Sequence, residues 1–155
     1  MKDQNNPNKL HSWSFVAVQA VILVLLVFFN PNIGPNVTRF MLLGTILEWI
    51  GWLGILLSAY TIRSSLTAQP IPKKSGSLST YGLYKYVRHP MYTSVMVLCL
   101  GIALVSGSVI KYALVGLLAL LFYFKTNYEE KFLRRKYPEY ESYTKKTPKF
   151  IPFIK

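Results

Sequence analysis

Acidic residues are scarce in this chain. Six Asp and Glu stand against 18 Lys and Arg, so a sequence with only 15% charged residues still carries +12. So few charges with so large an imbalance must be segregated along the chain. Cysteine is nearly absent too: the lone Cys99 lies inside an apolar run, which excludes a disulfide or a thiol–metal site within one chain and leaves a packing role. No metal site is expected. No G-x-G-x-x-G follows a strand-like run, so a soluble dinucleotide-type fold has no support. There is no internal repeat and no low-complexity segment, and the one linker-like stretch is Gln69–Ser79, with two prolines and Lys73-Lys74.

What fills the sequence is apolar: 52% of its residues are hydrophobic. The uncharged or nearly uncharged runs are 12–29, 40–60 (interrupted by Glu48), 91–105 and 109–124. The first two, at 18 and 21 residues, make helices of about 27 and 31 Å, enough to span hydrocarbon. The last two are shorter and separated only by Ser106-Gly107-Ser108, which predicts a tight helical hairpin. The expected fold is therefore all-α: one domain over 1–155, an integral membrane bundle of four transmembrane helices with a cytosolic C-terminal extension. A soluble bundle would need more polar surface than this chain can supply. The first run resembles a signal peptide, but it is long and is followed by Pro31, Asn32 and Gly34 with no small-x-small pattern, so it reads as a retained span.

Basic residues set the expected orientation. Four spans with both termini inside put 16 Lys and Arg on the cytosolic side and leave only Arg39 and Lys111 opposite, a strong positive-inside asymmetry. That asymmetry, together with anionic membrane lipids, accounts for much of the net charge. Nucleic acid is a poor partner, because the basic residues are tied to span ends.

Small residues mark the packing faces. Gly44, Glu48, Gly51, Ile55 and Ser58 fall within roughly 40° of one direction at ~100° per residue, so Glu48 shares a face turned to neighbouring helices. An intramembrane carboxyl is a functional candidate, here for substrate binding, or else a protonated group making one interhelical hydrogen bond. Ser94, Gly101 and Ser108, spaced by seven, mark a second seam. Cys99 and Glu48 apart, the chemistry-bearing residues gather at span ends. In Tyr84-Lys85-Tyr86-Val87-Arg88-His89-Pro90-Met91-Tyr92, Pro90 suits the first position of a helix and forces His89 out of helical geometry. The result is a rigid cationic corner suited to hold a polar cofactor against a lipid-soluble substrate. The fourth helix should continue past Phe124 as far as Pro138. Glu130 and Arg134, at i and i+4, read as a surface pair. Glu129, beside Phe132 and Leu133, reads as the inward carboxylate and is preferred as ligand-binding. Tyr137, Tyr140 and Tyr143 read as packing and interfacial residues.

Two blocks carry a family resemblance. Tyr81-Gly82-Leu83-Tyr84-Lys85-Tyr86-Val87-Arg88-His89-Pro90-Met91-Tyr92 resembles the glycine–tyrosine–RHPxY signature of the isoprenylcysteine carboxyl methyltransferase and phospholipid methyltransferase superfamily. Glu129-Glu130, Tyr137–Tyr143 and Pro148–Lys155 resemble its C-terminal block. The likeness covers about residues 76–155. It implies methyl transfer from S-adenosylmethionine at the cytosolic membrane face, with the cofactor under the C-terminal segment and a lipophilic or lipid-modified acceptor entering from the bilayer. The implied cofactor-binding segments are 81–92 and 125–155. Within them Tyr86, Arg88, His89, Pro90, Tyr92, Lys125, Glu129, Tyr137 and Tyr140 would bind the cofactor, and Arg88 and Glu129 would be catalytic. The methyl displacement would rest on positioning and electrostatics.

Two departures bear on the acceptor. The prenylcysteine enzymes tend to have Gly-Trp shortly after the motif's tyrosine, where this chain has Thr93-Ser94-Val95. They also tend to have Arg four residues before the binding Glu, where this chain has Lys125, which keeps the charge but loses the bidentate fork. A carboxylate acceptor needs no base, whereas a phospholipid amine must first lose a proton. With no dedicated base evident, the expectation leans to an isoprenylcysteine-like O or S acceptor. Phospholipid N-methylation and a non-enzymatic membrane protein that keeps the fold are the alternatives.

Overall fold

The computed structural model describes residues 7–29, 39–63 and 77–152, and side chains in the first helix from Ser12 onward. Five α-helices make up the described residues, with no strand: α1 (Pro7–Phe28), α2 (Met41–Thr61), α3 (Pro90–Ser106), α4 (Val109–Lys136) and α5 (Tyr140–Lys146). A 3-10 turn, Gly82–Lys85, precedes α3. Most of the expected Gln69–Ser79 linker lies outside the described residues, as do Lys2, Asn36 and Lys155.

Local chemistry explains where the helices stop. Pro90 opens α3 with His89 at φ −124°, ψ 59° as its cap, as the proline demands. Gly107 closes α3 in the left-handed region at φ 65°, where glycine carries no steric cost. Two residues later α4 begins, and it runs for 28 residues. That is about 42 Å, well beyond the ~30 Å of hydrocarbon, so its last turns stand outside the apolar layer. Arg134, Arg135 and Lys136 fill its last turn, where cations favour the helix dipole, and Pro138 prevents continuation.

Packing is closest between α2 and α3, which are antiparallel. A Cβ added to Gly51 would come within 2.6 Å of Leu98 Cβ, one on Gly44 within 2.8 Å of the Gly101 carbonyl, and one on Gly101 within 2.8 Å of Glu48 Cγ. The glycine and serine seams read from the sequence thus meet each other: the buried residues of α2 are Gly44, Gly51 and Ser58, and Ser94 lies against Gly54. The expected hairpin partner α4 is joined to α3 by the tight Gly107-Ser108 link, but α2 makes the more intimate contact with α3 because the glycines stand there. A small core, Ile22, Leu26, Cys99, Ala103, Val115, Leu118 and Phe122, ties α1, α3 and α4 together.

The outside is as apolar as the inside. Along α2 the residues Leu42, Trp49, Trp52, Leu53 and Leu56 are all more than half exposed. So wide an apolar surface has no place in water. The helices α2 and α4 are long and apolar enough to cross a membrane, and Ser12–Phe28 and α3 are shorter apolar helices. This is an integral membrane protein.

Candidate active site

The site forms where α3 begins and α4 leaves its apolar stretch. The chain reaches it through a fixed approach: Tyr81 Oη donates to the Thr61 carbonyl at the end of α2, 3.0 Å away, and Gly82 turns at φ +61° against Thr61. The 3-10 turn then delivers Arg88 and His89. Their consecutive N–H groups donate to the carbonyls of Pro148 (2.9 Å) and Lys149 (3.1 Å), and Thr93 Oγ1 donates to the Phe150 carbonyl (3.0 Å). The C-terminal segment therefore lies across the Arg-His-Pro corner, fixed by three backbone acceptors.

Under this cover the charges converge. Glu130 Oε1 lies 3.0 Å from His89 Nε2 and 3.4 Å from Arg88 Nε, with Glu130 and His89 both buried. Burial pushes the Glu130 carboxyl up, but the His89 hydrogen bond and the charges on His89, Arg88 and Lys149 outweigh it and hold it below the usual carboxylate range. One turn face away, Tyr92 Oη donates to Glu129 Oε2 at 3.1 Å. Burial pulls Glu129 the other way and raises its pKa, against the charge of His89, the Tyr92 hydrogen bond and the charge of Lys125. The Lys125 ammonium, on a residue only 2% exposed, donates to Gln19 Oε1 on α1 (2.6 Å) and stands 5.1 Å from the Tyr92 ring centre. Aromatic rings frame the group: His89 stacks on Tyr92 at 5.8 Å, and Tyr92 meets Phe122 at 4.8 Å.

The structure thus brings Arg88, His89, Tyr92, Lys125 and Glu129 together, with Pro90 buried at the start of α3. Tyr140 is buried beside them on α5; burial raises its pKa, and the Glu130 charge adds to the shift. Tyr143, also on α5, donates to the Tyr84 carbonyl, and burial raises it to about 12. Tyr86 is exposed, and Tyr137 is half-buried with the Lys136 ammonium 5.0 Å from its ring. Glu48 is not brought to this group. It packs on Gly101, eleven residues along α3 from Pro90, roughly 16 Å at the helical rise.

One expectation is overturned. Glu130 and Arg134 do not form a surface pair: Glu130 turns to Arg88 and His89, and Arg134 pairs with Glu141. The reason is the cover. Glu130 lies at the edge of α4's packed face, and only the returning C-terminal segment and the Arg-His corner bury it. Sequence reasoning also missed Gln19 and Thr93, and it took in Lys149 and Phe150 only as part of the 125–155 segment. Gln19 had a signal, as the one amide within an apolar span.

Within this group Arg88 Nε, although 3.4 Å from Glu130 Oε1, and Tyr140 Oη make no hydrogen bond, so donors are enclosed next to two carboxylates. An amino acid zwitterion fits that set: its carboxylate to Arg88, its ammonium to Glu129.

A membrane bundle with such a covered polar corner defines the class. A family model described as phospholipid methyltransferase matches residues 39–140, and the chain belongs to that family. It is 33% identical over 81 residues to the nickel-cobalt-cadmium resistance protein NccN of Alcaligenes xylosoxydans xylosoxydans. It is 32% identical over 81 residues to the cobalt-zinc-cadmium resistance protein CzcN of Cupriavidus metallidurans. Each match takes in 52% of this chain but only 38% of the relative's length. Among solved structures, the eukaryotic intramembrane Ras methyltransferase ICMT (isoprenylcysteine carboxyl methyltransferase) superposes with a TM-score of 0.62 at 20% identity. That likeness of fold covers 99% of this chain and 53% of the other.

Proposed function

We propose that this protein transfers a methyl group from S-adenosylmethionine to a lipophilic acceptor at the cytosolic face of a membrane, through four spans with both termini cytosolic. The observation that carries the reading is the covered cluster itself: Arg88, His89 and Glu130 under Pro148–Phe150, with Glu129 and Tyr92 alongside. Bound there, the cofactor would supply an electrophilic methyl on sulfur. Glu130 neutralises and orients Arg88 and His89, so that the guanidinium presents its remaining donors to a carboxylate. Tyr92 fixes one oxygen of Glu129, leaving the other to take the ammonium or ribose hydroxyls or to balance the sulfonium. Phe150 and the C-terminal segment exclude water, which strengthens each of these contacts. The cluster stands where α3 begins and α4 leaves its apolar stretch, so an acceptor dissolved in lipid would approach it laterally.

An isoprenylcysteine-like carboxylate or a related O or S nucleophile suits a site in which neither carboxylate is free of a partner to serve as a dedicated base. Phospholipid N-methylation is the second reading, favoured by the description of the matching family. Metal resistance, part of the relatives' names, enters neither reading.

Isothermal titration with S-adenosylmethionine in detergent and label transfer from radiolabelled cofactor into a host lipid extract test the proposal. The expected result is saturable binding and a labelled, solvent-extractable product. Arg88→Ala should weaken binding about ten- to a hundredfold, as for a lost charge-assisted hydrogen bond. Absence of both heat and labelled lipid would assign the fold to a non-enzymatic protein. Reporter fusions at Lys155 and near Asn36 should fall on opposite sides of the membrane; the same side for both would overturn the four-span scheme.

A further inference from the structure

The other end of the bundle holds a second polar cavity. About 310 Å³ in volume, it is lined by Arg39, Glu48, Ile102, Val105, Ser106 and Lys111, where α2 begins, α3 ends and α4 begins. The Phe40 N–H donates to the Leu104 carbonyl (3.2 Å) and ties the first two of these together. We propose that this cavity binds a phosphate group, with Arg39 and Lys111 as its side-chain donors.

Charge placement is the first argument. Only two of the 18 basic residues fall outside the segments read as cytosolic, and both line this one cavity. A positive-inside protein has every reason to omit them. The second argument is Lys111. It is 6% exposed, and no ion pair or hydrogen bond reaches it among the described residues. It also stands in the first turn of α4, where the helix dipole disfavours a cation. A side chain buried along its length that lines a cavity with its ammonium unpaired is suited to receive an anion there. Ser108, at the cap of α4, makes no side-chain capping bond, so the first N–H groups of the helix are not taken by it. Backbone donors of that kind, an Arg fork and an ammonium together match a tetrahedral oxyanion; the Ser106 hydroxyl, which also lines the cavity, is already given to the Ala103 carbonyl.

Glu48 fixes the sign and strength of the site. One carboxylate offsets one of two cations, and the balance stays positive, which rules against a metal cation as the occupant. Two sources supply the same chemistry: the phosphodiester of a lipid headgroup in that leaflet, or free phosphate in the adjoining water.

Thermal unfolding of the full chain in a non-ionic detergent separates them. The probes are inorganic phosphate, dihexanoyl-phosphatidylglycerol and, as the phosphate-free control, dihexanoylglycerol. A rise in Tm with both phosphate probes, or with the lipid alone, supports the site and names its source as any phosphate or the headgroup. Lys111→Met should weaken the phosphate response about ten- to a hundredfold. Arg39→Gln, at an exposed position, should weaken it as well without unfolding the chain, and Glu48→Gln should strengthen it. No shift with either phosphate probe, an equal shift with dihexanoylglycerol, or a response unchanged in both Lys111→Met and Arg39→Gln would overturn the proposal.

Discussion

The two ends of the bundle treat buried charge in opposite ways. At one end Glu130 lies between His89 and Arg88, and Lys149 of the segment that covers them adds a further positive charge beside it. At the other, Lys111 is equally buried but has no acid within ion-pair reach among the described residues. The first end is internally neutralised, so its polarity can be directed at a ligand by positioning. The second has one carboxylate, Glu48, against two basic residues in its cavity, the imbalance on which the proposed phosphate site rests. A glycine seam between α2 and α3 holds both ends at a fixed separation.

The sharpest break in that comparison is Glu130→Ala. It would leave Arg88 and His89 buried without their counter-ion and turn the neutralised end into a copy of the unbalanced one. Losing one partner of a buried pair costs about 3 kcal/mol, read as a lower denaturant midpoint at neutral pH. The pH dependence carries the same sign. Because Glu130 is held below its ordinary value, its contribution is full above the unfolded carboxyl value of about 4.3 and is lost as pH falls through the lower folded value. Glu130→Gln should flatten that acid limb; an acid limb identical to wild type would show that the pair contributes nothing.

Next in size is the seam that joins the ends. A methyl at Gly51 meets Leu98 backbone at 2.7 Å, whereas one at Gly116 on the outward side of α4 meets nothing within 4 Å. Gly51→Ala should therefore cost about 2 kcal/mol through overpacking. Gly116→Ala should gain a few tenths to about 1 kcal/mol from helix propensity alone. Equal effects at the two glycines would mean that α2 and α3 are not closely packed.

These two cases also show what the sequence could disclose. The seam was legible because helix–helix contact leaves a periodic mark: Gly44, Gly51 and Ser58 recur every seven residues, as do Ser94 and Gly101. The Arg-His-Pro corner was legible because proline fixes its neighbours locally. The clamp on Glu130 was not, since what buries it is chain that returns from Thr147–Phe150, and nothing in α4's own periodicity records that. The cavity at Arg39 and Lys111 was half legible. Their isolation on one side of the charge map was plain, but their meeting in one cavity depends on where three helix ends converge.

A smaller effect should separate the two neighbouring glutamates. Glu129 is raised by burial, so its ionised form at neutral pH opposes folding, the reverse of Glu130. Glu129→Gln should leave the ligand-free protein as stable as wild type or slightly more so, while weakening S-adenosylmethionine binding about tenfold. If instead Glu129→Gln destabilises the protein as Glu130→Ala does, both carboxylates are structural and the ligand-binding assignment of Glu129 fails.

The smallest effect lies on the surface and decides between two pairings of one arginine. Helix spacing offers Arg134 a partner at Glu130, four residues earlier, whereas the fold gives it Glu141 on α5. Both Arg134 and Glu141 side chains are well exposed, at 44% and 57%, so their attraction is screened and offset by the entropy of two long side chains. A double-mutant cycle on Arg134 and Glu141 should give a coupling of roughly 0.2–1 kcal/mol that shrinks in high salt. The same cycle on Arg134 and Glu130 should give none, because Glu130 is turned away under the C-terminal segment. Coupling to Glu130 instead would mean that the carboxylate faces solvent. The clamp on Arg88 and His89 would then be open, and the neutralised end of the bundle would lose the feature that distinguishes it from the other.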